Sequence, residues 1–226
     1  MERSADNREV VSSNLTRSIM PGLFIAFEGI DSAGKKTQIK LLADRLRESE
    51  REVVTISFPS YETDIGKLIK GWISRSLTID PETASMLYAA DRMQYQERIK
   101  EWLRKGWIVI TDRYCYSNIN YQSALGLPRQ WLIDIEKPII KPDIIILLNI
   151  PEVTASTRGT KQETLQSFLD MKEEKPEETL REKVRKGFLE LANNPPYQRK
   201  WHVIDGIRPA EEVHTDIFSV VQENLT

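Results

Sequence analysis

From Leu23 onward the chain alternates short apolar runs with longer stretches in which apolar positions recur every three or four residues. The runs at Leu23–Glu28, Val53–Ser57, Trp107–Thr111, Asp143–Asn149 and Trp201–Ile204 are rich in β-branched or aromatic residues and predict five strands. Helical spacing predicts helices over Lys35–Glu48, Thr63–Ser74, Pro81–Lys105, Tyr114–Leu125, Glu177–Asn193 and Pro209–Glu223. Prolines stand near the starts of two of them, where a missing N–H removes no helical bond. Strand and helix in alternation build βαβ units, so the pattern predicts an α/β fold: a five-stranded parallel sheet with helices on both faces. Residues 1–20 are polar and aperiodic and read as a flexible N-terminal extension, leaving 21–226 as a single domain.

Composition narrows the function classes. With 32 basic and 34 acidic residues interspersed, the net charge of −2 supplies no field for nucleic acid or a membrane surface, so a bound phosphate must be held locally. No apolar run is long enough to span a bilayer, and the N-terminus lacks a signal-peptide core. The lone Cys115 excludes an intrachain disulfide, and with only His202 and His214 beside it a zinc site is not expected. The expectation is a soluble cytoplasmic protein.

The first strand runs into Gly29-Ile30-Asp31-Ser32-Ala33-Gly34-Lys35-Lys36-Thr37 and then a helix, the context of a phosphate-binding P-loop. The glycines let successive N–H groups face one anion, the helix N-terminus adds its positive end, and Lys35 brings a point charge to the β and γ phosphates. The hydroxyl that normally follows the lysine and reaches Mg²⁺ is displaced: Lys36 takes that place and Thr37 comes one residue later. Either the extra cation replaces part of the metal's screening, or Thr37 serves from a shifted position. After the third strand stands Asp112-Arg113-Tyr114. Strand ends of this kind face the ligand crevice, where Asp112 can hold hydrated Mg²⁺ and Arg113 can grip a phosphate; a structural ion pair is the other reading of the two.

Phe27-Glu28-Gly29-Ile30-Asp31, Phe58-Pro59 after strand two, Asp91-Arg92 in the long helix and Asp112-Arg113-Tyr114, in that order, resemble the thymidylate kinase family, most closely from the P-loop through Gln122. The resemblance implies a P-loop NTPase three-layer fold and transfer of the γ-phosphoryl group of ATP to dTMP with Mg²⁺. It implies that Lys35, Asp112 and Arg113 act in catalysis, that Asp112 and Thr37 hold the metal, and that Gly29 through Thr37 hold ATP. For dTMP it implies Arg113 at the phosphate, Asp31 near the 3′-hydroxyl, Arg92 at the thymine ring, Tyr88 stacked on it, and Asn118 and Tyr121 at base and deoxyribose. Phe58, Tyr61 and Gln122 fall at neighbouring positions, and Phe58-Pro59 is a candidate cis bond. Tyr88 and Asn118 have plainer readings too, as a core aromatic and a satisfied helix side chain.

The family supplies a catalytic arginine from the P-loop or from a lid, and Ser32 occupies the P-loop position here. The lid belongs at about 151–175, where Arg158 is the arginine and Lys161, Lys172 and Lys175 are the other cations; Arg158 is the expected catalytic group, with Lys161 as the alternative. The resemblance also implies a homodimer through helices around the long third one, with Met93, Tyr95 and Trp102 as surface candidates. Other acceptors such as dUMP, which lacks only a methyl group, and a weakly catalytic nucleotide-binding protein are the competing readings. A GTPase switch is excluded by the lack of an Asn-Lys-x-Asp guanine-reading motif.

Overall fold

The computed structural model describes residues 22–158 and 178–225. The predicted extension 1–20 lies outside the described residues, as do the lid lysines Lys161, Lys172 and Lys175. Five strands form one sheet in the order β2-β3-β1-β4-β5, every neighbour parallel: β1 Leu23–Glu28, β2 Val53–Ser57, β3 Ile108–Asp112, β4 Ile144–Asn149 and β5 Lys200–Asp205. All residues of β1 and β3 are buried, so both faces of the sheet centre are covered, which is why these strands read as unbroken apolar runs. The edge strands β2 and β5 are half-buried and carry the polar residues Thr55, Lys200 and His202.

The helices are α1 Lys35–Glu48, α2 Asp64–Ile73, α3 Pro81–Met93, α4 Gln96–Arg104, α5 Cys115–Ala124, α6 Arg129–Glu136, α7 Glu152–Arg158, α8 Leu180–Asn193 and α9 Ala210–Glu223. α1 packs with α9, while α5 packs with α6 and α8. Order reverses at β1, with β3 on one side and β4 on the other, and in such sheets the crevice beyond the strand ends at the reversal is where ligands bind.

Two features depart from the expectation. The helix predicted over Pro81–Lys105 is two helices that meet at Gln94 and Tyr95, where both side chains bond the loop after β2. Gln94 Nε2 donates to Asp91 Oδ1 (2.8 Å) and Thr63 Oγ1 (3.1 Å), and the Tyr95 hydroxyl bonds Ser60 Oγ at 2.6 Å. No glycine or proline marks this break. Secondly, α6 follows Pro128 and was not expected; its eight residues bury only Leu132 and Glu136, too short a stretch for a period to show. Of the expected lid at 151–175, the described residues include the helix α7.

Tyr95 and Trp102, expected on an exposed surface, instead pack against the core, Tyr95 with its ring edge-on to Phe58 at 5.4 Å; Met93 alone of the three is exposed.

Candidate active site

Beyond Glu28 the chain turns through Gly29, whose φ of 140° is closed to side chains in any case: a Cβ there would lie 2.7 Å from the Leu148 carbonyl oxygen. Gly34, at φ 97°, is the N-cap of α1. Between them Ser32 accepts a left-handed φ of 64° despite its Cβ, a conformation costing on the order of 1 kcal/mol. Lys35 is buried, and its Nζ donates back to the loop carbonyls of Gly29 (3.1 Å) and Ile30 (2.9 Å). Burial, assisted by the Arg113 charge, pushes the Lys35 ammonium down to about 8. Lys36 and Thr37 are exposed on the rim.

At the end of β3, Asp112 is buried and its Oδ1 has no hydrogen-bond partner. Arg113 also stands at a left-handed φ, 66°, and is held there from several sides. Its backbone N–H donates to Phe27 O (2.9 Å). Nη1 donates to Gly29 O and Ser117 Oγ (3.0 Å each), and Nη2 to Asp31 Oδ1 (2.5 Å) and the Tyr121 hydroxyl (3.1 Å). Burial alone would raise the Asp31 carboxyl, but Arg113 and Lys35 outweigh it and hold it below its ordinary range. The guanidinium is thus aimed across the mouth of the P-loop before any ligand arrives.

Glu28 explains part of that order. The N-cap of α5, Tyr114, offers no side-chain acceptor, so the carboxylate at the end of β1 takes the role from another element. It accepts from Tyr114 N (2.9 Å), Ser117 N (3.2 Å) and Ser117 Oγ (2.5 Å), and Ser117 Oγ in turn accepts from Arg113. Burial pushes the Glu28 carboxyl up to about 7 against those hydrogen bonds.

The opposite wall is a buried polar cluster. Arg92, 2% exposed, is ion-paired to Glu136 through Nη2 and Oε1, with a second bond from Nε to Oε2 of 3.2 Å. Asn118 Nδ2 donates to Glu136 Oε1 (2.7 Å) and Ser85 O (3.1 Å). Asp91, next to Arg92, points the other way and accepts from Ser60 N at 2.8 Å, anchoring the loop that carries the cis Phe58-Pro59 bond. Tyr88 joins its own small core with Ile69, Trp72 and Ala84, its ring 6.2 Å from that of Trp72, and also lines the cleft. Arg158, at the end of α7, donates to Gly206 O (2.7 Å) and Ile207 O (2.8 Å).

The P-loop, Asp112, Arg113, Arg92, Asn118, Tyr88 and Arg158 bound one cleft of about 720 Å³, with Glu28, Asp91 and Glu136 outside its lining. Of the expected site residues, Asp31, Ser32, Ala33, Gly34, Lys35, Lys36, Thr37, Phe58, Tyr61, Tyr88, Arg92, Asp112, Arg113, Asn118, Tyr121, Gln122 and Arg158 line it; Gly29 and Ile30 lie beneath, bonded to Lys35.

The thymidylate kinase family model matches residues 27–217. The chain belongs to the thymidylate kinase family. It is 36% identical over 212 residues to a probable thymidylate kinase of Thermococcus onnurineus, covering 90% of this chain and 98% of that one. It is 35% identical over 201 residues to the thymidylate kinase of Plasmodium falciparum, covering 88% and 90%. Among solved structures, thymidylate kinase from Candida albicans superposes with a TM-score of 0.72 at 27% identity, over 90% of this chain and 92% of the other. Membership makes the chain an ATP-dependent nucleoside monophosphate kinase, a phosphotransferase with dTMP as acceptor.

Within this thymidylate kinase fold, four groups at the cleft or just behind it are not among the expected site residues: Glu28, Asp91, Glu136 and Arg208. Glu28 had a visible signal, a carboxylate closing an otherwise wholly apolar strand, which a buried strand end tolerates only with partners. Asp91 precedes Arg92 in the Asp-Arg pair of α3, but its partner Ser60 is 31 positions away. Arg208, on the loop before α9, and Glu136, on a helix that periodicity did not reveal, carried no local signal.

Proposed function

We propose that ATP lies over the P-loop and dTMP between Tyr88 and the α5 wall, so that the γ-phosphoryl group passes across Arg113. The observation that carries this is the single cleft joining the P-loop to the Arg113 clamp and the Arg92–Asn118 wall. Phosphoryl transfer asks the protein to bring two anions into line and to offset the charge on the group in flight, with little covalent chemistry of its own. Lys35 exchanges the Gly29 and Ile30 carbonyls for the β and γ phosphates, and Arg113 holds the acceptor phosphate from the other side. Asp31 lies by the sugar 3′-hydroxyl, Tyr121 against the deoxyribose, and Phe58, Tyr61 and Gln122 close the acceptor pocket. Arg158 supplies the lid cation, leaving the Gly206 and Ile207 carbonyls to reach the phosphates.

The residues fit Mg²⁺ carried in by the nucleotide. Mg²⁺ is usually held by one or two carboxylates plus phosphates and water, and Asp112 presents a buried oxygen without a partner at the right strand end. Asp112 would hold the ion with Thr37 as the hydroxyl nearby, and the ion would screen charge on the phosphates.

We further place the protein in the cytoplasm, which suits its buried lone thiol Cys115, and read it as a homodimer through the α2–α3 face, where Leu68, Met86 and Met93 are exposed. No helix among the described residues is long and apolar enough to cross a membrane.

The test is ADP release in a coupled assay with ATP, Mg²⁺ and a panel of dTMP, dUMP, UMP, CMP, AMP and GMP. Selective turnover of dTMP is the expected result. Turnover of dUMP alone would move the acceptor, and silence across the panel with ATP bound would reduce the chain to a nucleotide binder.

A further inference from the structure

Glu136 is 0% exposed, stands on α6, and reaches both side chains that we assign to the base. Its carboxylate accepts hydrogen bonds and donates none, and the same is true of the Ser85 carbonyl. The Asn118 amide sits against these two acceptors at 2.7 and 3.1 Å, so only its NH₂ can face them. Its Oδ1 is thereby turned away, and it is buried without a partner. The orientation follows from the neighbours and is not a free choice between two flips. On Arg92, Glu136 engages Nε and one N–H of Nη2, which leaves Nη1 and the second N–H of Nη2 as donors for a ligand.

The wall that Arg92 and Asn118 give the cleft therefore keeps guanidinium N–H donors and one amide acceptor without protein partners. Thymine and uracil offer the complement along one edge, the O4 acceptor beside the N3–H donor. Cytosine offers the reverse, an N4 amino donor beside an N3 acceptor, and would set donor against donor and acceptor against acceptor. We propose that Glu136 is a positioning residue that sets the hydrogen-bond polarity of base recognition, making the cleft a reader of the imide edge. The inference rests on the reading that the base lies against Arg92 and Asn118.

The experiment measures kcat and KM for dTMP and dCMP in the full chain, with Glu136→Gln, Glu136→Asp and Asn118→Ala beside it. A glutamine at 136 can donate to Asn118 and let its amide reverse. Glu136→Gln is expected to lower the dTMP-to-dCMP ratio of kcat/KM by about tenfold, mostly through a raised KM for dTMP. Glu136→Asp, which stays an acceptor, is expected to keep the ratio within about threefold. An equal loss on both substrates in Glu136→Gln, while Asn118→Ala shifts the ratio, overturns the inference and leaves the base site standing. If neither variant moves the ratio, the base site itself is misplaced. Should Glu136→Gln not fold, NMR on the unaltered chain decides: two Asn118 Nδ2 protons protected from solvent exchange support the inference, and rapid exchange of both overturns it.

Discussion

On the acceptor side of the cleft, the polar groups find their partners in other elements: Arg92 and Asn118 on Glu136 of α6, Arg113 on Asp31, Ser117 and Tyr121, Ser117 on Glu28 of β1. On the donor side, Lys35 bonds the carbonyls of its own loop, Lys36 and Thr37 stand exposed, and Arg158 is spent on the backbone of Gly206 and Ile207. The buried Arg92–Glu136 pair persists when a ligand arrives, because breaking it would strand buried charge. Bonds within a loop are exchanged for phosphate oxygens at little net loss. On the proposed placement of the two nucleotides, the acceptor half is built in advance and the donor half is completed by the nucleotide.

The largest expected effect is on the residue that joins the halves. Arg113→Ala removes the clamp and unpairs Asp31, and kcat/KM for dTMP is expected to fall on the order of 10³-fold in the coupled assay. A fall of less than about tenfold would detach Arg113 from the acceptor phosphate.

A second effect belongs to the donor half alone. Lys35 titrates at about 8 in the free chain, below its ordinary value, and bound phosphates raise it. Binding of ATP therefore takes up a proton above that pH: affinity is level below about 8 and declines by up to about tenfold per pH unit above it. Titrating an ATP analogue across pH 7 to 10 (a window of about three units chosen to bracket the lysine) checks the sign. Affinity that rises with pH would mean that Lys35 does not meet the phosphates.

Smallest is the rim. Thr37 is exposed and one place removed from the usual hydroxyl, so Thr37→Ala is expected to raise the Mg²⁺ requirement only about threefold to tenfold, comparable to one weak ligand. No change at all would assign that screening to Lys36.

How far the sequence carried the reading differs between the halves in a physical way. The P-loop is local: nine consecutive residues hold its glycines and lysine, so motif and geometry coincide, and β1, β2 and α1 stand where the apolar pattern puts them. The acceptor wall is assembled from β1, α3, α5 and α6, and its partners are 44 positions apart for Arg92 and Glu136 and 89 for Glu28 and Ser117. No short pattern encodes such a pairing. Gln94 and Tyr95 are a similar case, since the side-chain contacts made where the two helices meet reach back to Ser60 and Thr63.

The comparison itself is tested by calorimetric titration of dTMP into the nucleotide-free chain, repeated with Lys35→Met. A preformed acceptor half predicts saturable one-site binding of dTMP without ATP, unchanged in affinity by the lysine substitution. Binding of dTMP that appears only once ATP is present, or that is lost with Lys35→Met, would contradict it.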